Sequence, residues 1–185
     1  MFDEILAFWF GPVPGEVRAE WFRKDDAFDA QIRARFRVMI DDALQGEYAD
    51  WTHSARGSLA RVLLLDQFTR NVFRDTPRAF AGDALALATA QAALDQAFDQ
   101  ALSSVERWFL YMPFEHAESA AAQERSLSLF GQLASTAGFD APLEWAQKHA
   151  AIIARFGRYP HRNEVLGRAS TPDEIAFLNE AGSRF

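Results

Sequence analysis

Apolar residues recur at three- and four-residue steps along most of this 185-residue chain. Between positions 25 and 44, for example, the apolar side chains are Phe28, Ile32, Phe36, Met39, Ile40 and Ala43. This spacing places them on one face of an α-helix, with the charged residues of the same stretch on the other. Runs in which apolar and polar residues alternate do not compete with this pattern. The sequence therefore predicts an all-α fold.

Caps and turn-forming residues divide the chain into about eight or nine helices. The predicted helices run from Asp3 as N-cap to Phe10, Asp25 to Leu44, Ser54 to Arg74, Phe80 to Phe98, Leu102 to Met112, Ser119 to Ser135, Pro142 to Phe156 and Thr171 to Ala181. A turn is predicted from Val13 to Gly15, and Pro113 is expected to end the fifth helix because proline disfavours a helical conformation in the preceding residue. The short connections favour antiparallel helical hairpins.

Composition limits the classes of function. A chain of this length with 49% hydrophobic residues can form one folded domain, residues 1–185. The formal net charge of -7 argues against binding of nucleic acid. Apolar runs are too short to cross a membrane, there are no cysteines, and the N-terminus lacks the basic region of a signal peptide, so a cytoplasmic protein is expected. The sequence has no dinucleotide or phosphate-binding loop, and no cofactor is expected.

The predicted helix from Ser54 to Arg74 is apolar on both sides and should run through the core. Asp66 and Arg70 lie within one of its apolar arcs, so we expect them to face inward. They are separated by four residues and can form a buried ion pair that joins helices. Alternatively, the same helix presents polar side chains to a ligand; these are Gln67, Arg70, Asn71 and Arg74.

A basic segment, Arg155 to Arg168, stands out in this acidic chain. Asn163 is a candidate N-cap for a helical turn that ends at Leu166. Its free backbone N–H groups, with Arg158, His161 and Arg162 beside them, would form a site for a carboxylate or phosphate. In the alternative interpretation, these arginines pair with acidic residues elsewhere in the chain.

Three further polar residues are candidates for the site. Glu115 and His116 precede the predicted helix at Ser119, where acids complement the helix dipole, although capping does not explain the histidine. His149 lies on the apolar face of its helix and is either a hydrogen-bonded core residue or part of the site. A metal site built from Glu115, His116, His149 and His161 is a weaker alternative, since no pair has the spacing of a helical histidine motif.

These residues predict a pocket that binds a small anionic molecule. His161 is the first candidate for proton transfer, with His116 and Asp66 as further acid-base groups. A rival hypothesis is a helical scaffold that holds a peptide or protein on a concave face. An exposed aromatic groove would favour that rival, and its candidate residues are Trp21, Phe22, Trp51 and Trp108.

Three segments resemble a known bacterial family, domain of unknown function 924. They are Leu65 to Arg74, Tyr111 to Glu118 and Phe156 to Asn163. The resemblance covers nearly the whole chain, from Phe8-Trp9-Phe10-Gly11 to the helix that begins at Thr171. It implies a tetratricopeptide-like helical fold and brings no established activity. Thr69 stands where the family's pattern has proline.

Overall fold

A computed structural model describes residues 1–12, 15–180 and 182–183, and within those ranges the chain is helical with no strand. The α-helices are α1 (Phe2–Phe10), α2 (Asp26–Leu44), α3 (Ala55–Val62), α4 (Thr69–Val72), α5 (Asp83–Asp95), α6 (Ser104–His116), α7 (Ala120–Ala137), α8 (Ala141–Phe156) and α9 (Pro172–Leu178). Short 3-10 helices cover Ala19–Trp21, Ala49–His53, Pro77–Phe80, Phe98–Ala101 and Pro160–Arg162. The predicted all-α fold is confirmed, while the tetratricopeptide-like arrangement stays a prediction.

The helix at the centre of the molecule is continuous but not uniformly α-helical. A π-helical segment, Leu63–Phe68, joins α3 to α4. All six residues of this segment are buried, which confirms that the predicted helix apolar on both sides runs through the core. At its end the Thr69 hydroxyl donates to the Leu65 carbonyl over 2.8 Å. Because π-helical turns are rare and are frequent at functional sites, this segment, which contains Asp66, is a place to look for one.

Side-chain caps begin several helices where they were predicted. Asp25 accepts hydrogen bonds from two backbone N–H groups of α2, and Ser119 accepts one from α7. Thr171 forms a capping box with Glu174, and Pro172 occupies the first position of α9. The first helix begins two residues earlier than predicted, with Met1 rather than Asp3 at the N-cap position, so Asp3 lies in its first turn. The predicted residues Val13, Pro14 and Ala181 lie outside the described ranges.

Pro113 does not end α6, as the sequence had indicated. The helix continues through it to His116, and its residues from Trp108 to Glu115 are all buried. Proline removes one backbone donor from a helix, but tertiary packing of such a buried stretch can outweigh that loss. The prediction was therefore wrong here, and its correction places Glu115 and His116 in the last turn of α6 rather than ahead of α7.

Gly82 lies where the chain enters α5 and packs directly on the π-helical segment. A Cβ atom at this position would lie 2.1 Å from the Leu65 carbonyl oxygen. Only glycine permits this approach without a shift of backbone. The contact brings the N-terminus of α5, which begins with Asp83, against the segment that carries Asp66.

We predict that Gly82→Ala destabilises the protein by about 2 to 4 kcal/mol, because the new methyl group must displace backbone rather than a flexible side chain. The matched control is Gly131→Ala in α7, where nothing lies within 4 Å of the added Cβ. This control should stabilise the protein by about 0.5 to 1 kcal/mol. Urea unfolding of the three proteins checks both values, and equal stabilities would contradict the close approach.

Candidate functional site

Five residues from five helical elements form a closed ring of contacts, which we call the ionic ring. Asp66 Oδ1 lies 2.7 Å from His116 Nδ1 and 3.1 Å from Arg70 Nη1. Arg70 also binds both oxygens of Asp83, at 2.8 and 3.1 Å. Arg162 Nη1 lies 3.0 Å from Asp83, and Arg162 Nη2 donates to the His116 carbonyl over 3.0 Å. The ring joins the π-helical segment with α4, α5, α6 and the 3-10 helix at Arg162.

Asp66 is the most buried member of the ionic ring, with no exposed surface. Burial raises the pKa of its carboxyl group, but the charges of Arg70 and His116 and the hydrogen bonds from His116 and Gln67 outweigh it and hold the pKa below its ordinary value. Asp66 is therefore a carboxylate. The predicted buried pair of Asp66 and Arg70 is present, so the structural interpretation of these two residues is correct in its geometry.

His116 is oriented by this carboxylate. An ionised Asp66 accepts hydrogen bonds only, so the proton between the two side chains belongs to His116 Nδ1. Whenever the imidazole is neutral, Nε2 is therefore the nitrogen that carries the lone pair. No hydrogen bond joins Nε2 to any residue that the structure describes, and the side chain is 14% exposed. The arrangement is that of a histidine held by a carboxylate with its second nitrogen available for proton transfer.

Arg162 closes the ring from the opposite side and is 6% exposed. Its guanidinium group lies between two rings, 4.6 Å from the centroid of Phe80 and 4.7 Å from that of Tyr159. Burial and the nearby charge of Arg70 lower its pKa, while Asp83 raises it. Both terminal nitrogens of Arg162 are engaged within the protein. The two terminal nitrogens of Arg162 therefore join members of the ionic ring to each other.

A pocket of about 430 Å³ opens at the ionic ring. Its polar residues are Asp83, His116, Glu118 and Arg162. The remaining lining residues are Pro77, Phe80, Ala81, Ala84, Leu87, Ala117 and Leu166. At the rim, Arg168 binds both oxygens of Glu118, at 2.6 and 2.9 Å. The pocket thus combines one polar end with walls that are largely apolar, the usual composition of a small-molecule site.

Several predicted ligand-binding residues lie away from this pocket. Asn71 and Arg74 both bind the buried carboxylate of Asp29, each over 2.6 Å. Gln67 donates to Asp66 over 2.6 Å and supports the ring from behind. These polar side chains do share one helix, as predicted, but its rotation directs them to different acids.

The prediction that Asn163 caps a helical turn was wrong. Asn163 follows the 3-10 helix Pro160–Arg162, and its backbone N–H donates to the Pro160 carbonyl. Its side-chain oxygen accepts from Arg168, and its amide donates to Glu174. Arg158 is engaged as well, since it binds both oxygens of Glu174, at 2.6 and 2.8 Å. The basic segment therefore pairs with acids of this chain, as its alternative interpretation held.

Glu115 and His149 form a second histidine-carboxylate pair behind the first. His149 Nδ1 lies 2.9 Å from Glu115 Oε1 and 2.9 Å from the Trp145 carbonyl. The His116 and His149 rings are 6.2 Å apart, centroid to centroid. Both members of this second pair are buried and neither lines the pocket.

His161, the first candidate for proton transfer, also lies outside the pocket lining. Burial and the charge of Arg162 lower its pKa to about 3. The imidazole is therefore neutral at physiological pH, as predicted, but a base this weak accepts a proton poorly. Proton transfer fits His116 better, because that residue lies at the pocket and is held by a carboxylate.

Four lining residues were not selected as site residues from the sequence; they are Phe80, Asp83, Leu87 and Glu118. Asp83 is the first residue of an alanine-rich helix, a position at which an acidic side chain is explained by the helix dipole alone. Its two arginine partners lie 13 and 79 positions away along the chain. No local spacing signals such a contact.

Two findings bear on other classes of site. Within the described part of the chain, no group of three or more histidine, cysteine, aspartate or glutamate side chains is placed to hold a metal ion. Among the same residues, no helix is long and apolar enough to cross a bilayer.

The molecule is thus an all-helical protein with a pocket that is lined by three members of the ionic ring, namely Asp83, His116 and Arg162. The chain matches the family described as bacterial protein of unknown function (DUF924) over residues 5–182, and it belongs to that family. It is similar to a solved structure, the protein of unknown function ATU0120 from Agrobacterium tumefaciens, with 42% sequence identity, a TM-score of 0.87 and 97% of each chain covered. A search of curated proteins found no match.

We predict that Asp66→Ala lowers the free energy of unfolding by about 3 to 5 kcal/mol at neutral pH, because it removes the buried carboxylate that binds His116 and one of the two acids that bind Arg70. The pKa of Asp66 is lower in the folded protein than its ordinary value of 3.8. Its contribution is therefore complete above that ordinary value and is lost as the pH falls below it. The gap between variant and wild type should narrow in acid.

Asp41→Ala is the control for this measurement. Asp41 also binds two arginines, but its side chain is 39% exposed, so its loss should cost about 1 kcal/mol or less. Denaturant unfolding over a pH series gives all of these values. A loss below about 0.5 kcal/mol for Asp66→Ala would show that the ring is not buried.

A second prediction concerns His161. Because its pKa is lowered to about 3 from 6.5, its ring should remain neutral through the range in which exposed histidines titrate. The folded protein favours neutral His161, whereas the unfolded chain takes up a proton near pH 6.5. The free energy of unfolding therefore decreases as the pH falls from about 6.5 towards 3. An NMR titration of the histidine rings checks this, and a His161 midpoint near that of exposed His53 would contradict it.

Proposed function

We propose that the pocket binds a small weak acid and that His116, held by Asp66, exchanges a proton with it. The observation that carries this proposal is the 2.7 Å contact between His116 Nδ1 and a fully buried, ionised Asp66, at the base of a pocket of about 430 Å³. This contact leaves Nε2 as the nitrogen that can take up or release a proton.

The charges of the ionic ring support a protonation step on binding. Arg70 and Arg162 contribute two positive charges, and Asp66 and Asp83 contribute two negative charges, so the ring is neutral while His116 is neutral. At the rim, Glu118 and Arg168 also cancel. An anion gains a net positive partner only when His116 is protonated. Arg70 and Arg162 are already paired with acids and do not supply that charge. In this proposal protonated His116 is therefore the partner of the anion.

A catalytic role would use the same proton exchange by His116. A histidine whose other nitrogen is fixed by a carboxylate can remove a proton from a bound molecule and return it to another atom, as a general base and then a general acid. In this proposal His116 is the group that contacts the ligand. Asp66 is a positioning residue, because it sets the tautomer and stabilises the imidazolium.

The rival hypothesis of a peptide-binding scaffold has less support. The aromatic residues suggested for its groove are largely buried: Trp21 is 9% exposed, Trp51 is 8% exposed and Trp108 is 4% exposed. Phe22 is 48% exposed but stacks on Trp108, with centroids 4.7 Å apart. Among these four residues, a single exposed ring does not form a groove.

We predict that binding of a carboxylate is coupled to uptake of about one proton on the alkaline side of the histidine range, because the ligand stabilises protonated His116. Calorimetric titration with octanoate in buffers of different ionisation enthalpy measures this uptake. Affinity should fall as the pH rises, since fewer His116 side chains then carry a proton.

Two variants make the test specific. His116→Gln should abolish the proton uptake and weaken binding about tenfold or more, since a neutral amide cannot supply the charge. His53→Gln removes an exposed histidine outside the pocket lining and should leave both quantities unchanged. Tight binding without proton uptake, or equal uptake in His116→Gln, would overturn the proposal.

A further inference from the structure

The apolar wall of the pocket is a stripe along one side of α5 and the 3-10 helix before it. Phe80, Ala84 and Leu87 follow one another at four- and three-residue steps and all line the pocket. Side chains with this spacing lie on the same helical face. Asp83 belongs to the same face and is the member that joins the ionic ring. Asp83 lies between Phe80 and Ala84, so the α5 part of the stripe is charged at its first residue and apolar from Ala84 to Leu87.

Along α5, the pocket lining changes from charged at Asp83 to apolar at Leu87. Asp83 and Leu87 are one turn apart, about 6 Å along the axis. Phe80 and Leu87 are only partly buried in the ligand-free protein, and Ala84 is exposed. Leu166, also partly buried, lines the pocket from another part of the chain. Half-exposed apolar side chains beside a single polar end are a surface that an apolar ligand tail would cover.

The distribution of charge limits the ligand to one anionic group. The ionic ring gains one net positive charge when His116 is protonated, as argued above. Beyond the ring, the charged lining residue is Glu118, which is already bound by Arg168 and by the Tyr159 backbone N–H over 2.8 Å. Its pKa lies below the ordinary value, because these hydrogen bonds and the charge of Arg168 outweigh burial, which raises it. A second anionic group would face this carboxylate or the apolar stripe, and either contact is unfavourable.

We infer that the ligand of this pocket is an amphipathic monoanion, a carboxylic acid with an unbranched apolar tail that lies along the Phe80, Ala84 and Leu87 stripe. This inference rests on the proposed function, because the carboxylate binds protonated His116. It adds the class of the ligand and names Ala84 and Leu87 as residues that set the length of the tail.

Straight-chain carboxylates from acetate to octanoate test the inference, with succinate and inorganic phosphate as the competing anions. Affinity should rise about three- to fourfold for each added methylene until the stripe is covered, which is the ordinary gain for burial of one such group. Succinate should bind more weakly than butanoate, which has the same number of carbon atoms. Proton uptake is measured in the same titrations.

Two substitutions in α5 should each weaken the binding of long acids, the first by blocking the stripe and the second by shortening it. Ala84→Leu fills the stripe and should lower affinity for octanoate about tenfold or more while acetate is unaffected. Leu87→Ala should flatten the gain for the longest acids only. Ala92→Leu is the matched control, since it places the same side chain on an exposed position of α5 two turns further on, outside the lining. The length profile of that variant should equal that of the wild type.

The outcomes separate the inference from the function on which it rests. If the acids bind with proton uptake but succinate or phosphate binds as well as octanoate, the monoanion class is wrong and the proposed function stands. The same holds if Ala84→Leu leaves the length profile unchanged, because the tail then lies elsewhere. If no carboxylate binds with proton uptake, the proposed function fails and the inference fails with it.

Discussion

A carboxylate in the core of the protein sets the requirements for everything around it. Asp66 has no exposed surface, and a buried charge without partners is costly enough to unfold a domain of this size. Its partners come from elements far apart in the chain: Arg70 one turn later, and His116 at the end of α6. Arg70 in turn requires Asp83, and Asp83 requires Arg162. α6 supplies a direct partner of Asp66, while α5 and the 3-10 helix at Arg162 supply the further partners that complete the ionic ring.

In the proposed function, the same contacts prepare the site to exchange a proton. The charges of Arg70, Arg162, Asp66 and Asp83 cancel, so a proton added to His116 gives the ionic ring a net positive charge. Its ring is held in one orientation by Asp66, and its own backbone carbonyl is held by Arg162. Such preorganisation lowers the cost of placing a proton donor against a ligand. The stability of the fold and the chemistry of the pocket therefore depend on the same contacts.

The sequence predicted the parts of this arrangement that are encoded locally. Helical periodicity placed Asp66 and Arg70 on an inward arc, and their separation of four residues predicted the ion pair between them. His116 was named as an acid-base candidate, yet nothing in the sequence joined it to Asp66, because 50 positions separate them. Pro113 also misled the prediction, since the packing of α6 outweighs the local preference of proline. The density of arginines in the basic segment suggested an anion site, whereas the structure pairs Arg158, Arg162 and Arg168 with Glu174, Asp83 and Glu118.

An ionised Asp66 holds neutral His116 as the tautomer protonated at Nδ1. Long-range nitrogen-proton NMR of the ligand-free protein reports which ring nitrogen carries the proton. For neutral His116 we expect a protonated Nδ1 and an unprotonated Nε2, and loss of this preference in Asp66→Asn. A wild-type spectrum with the proton on Nε2 would contradict it, because Asp66 would then not be the carboxylate that orients the site.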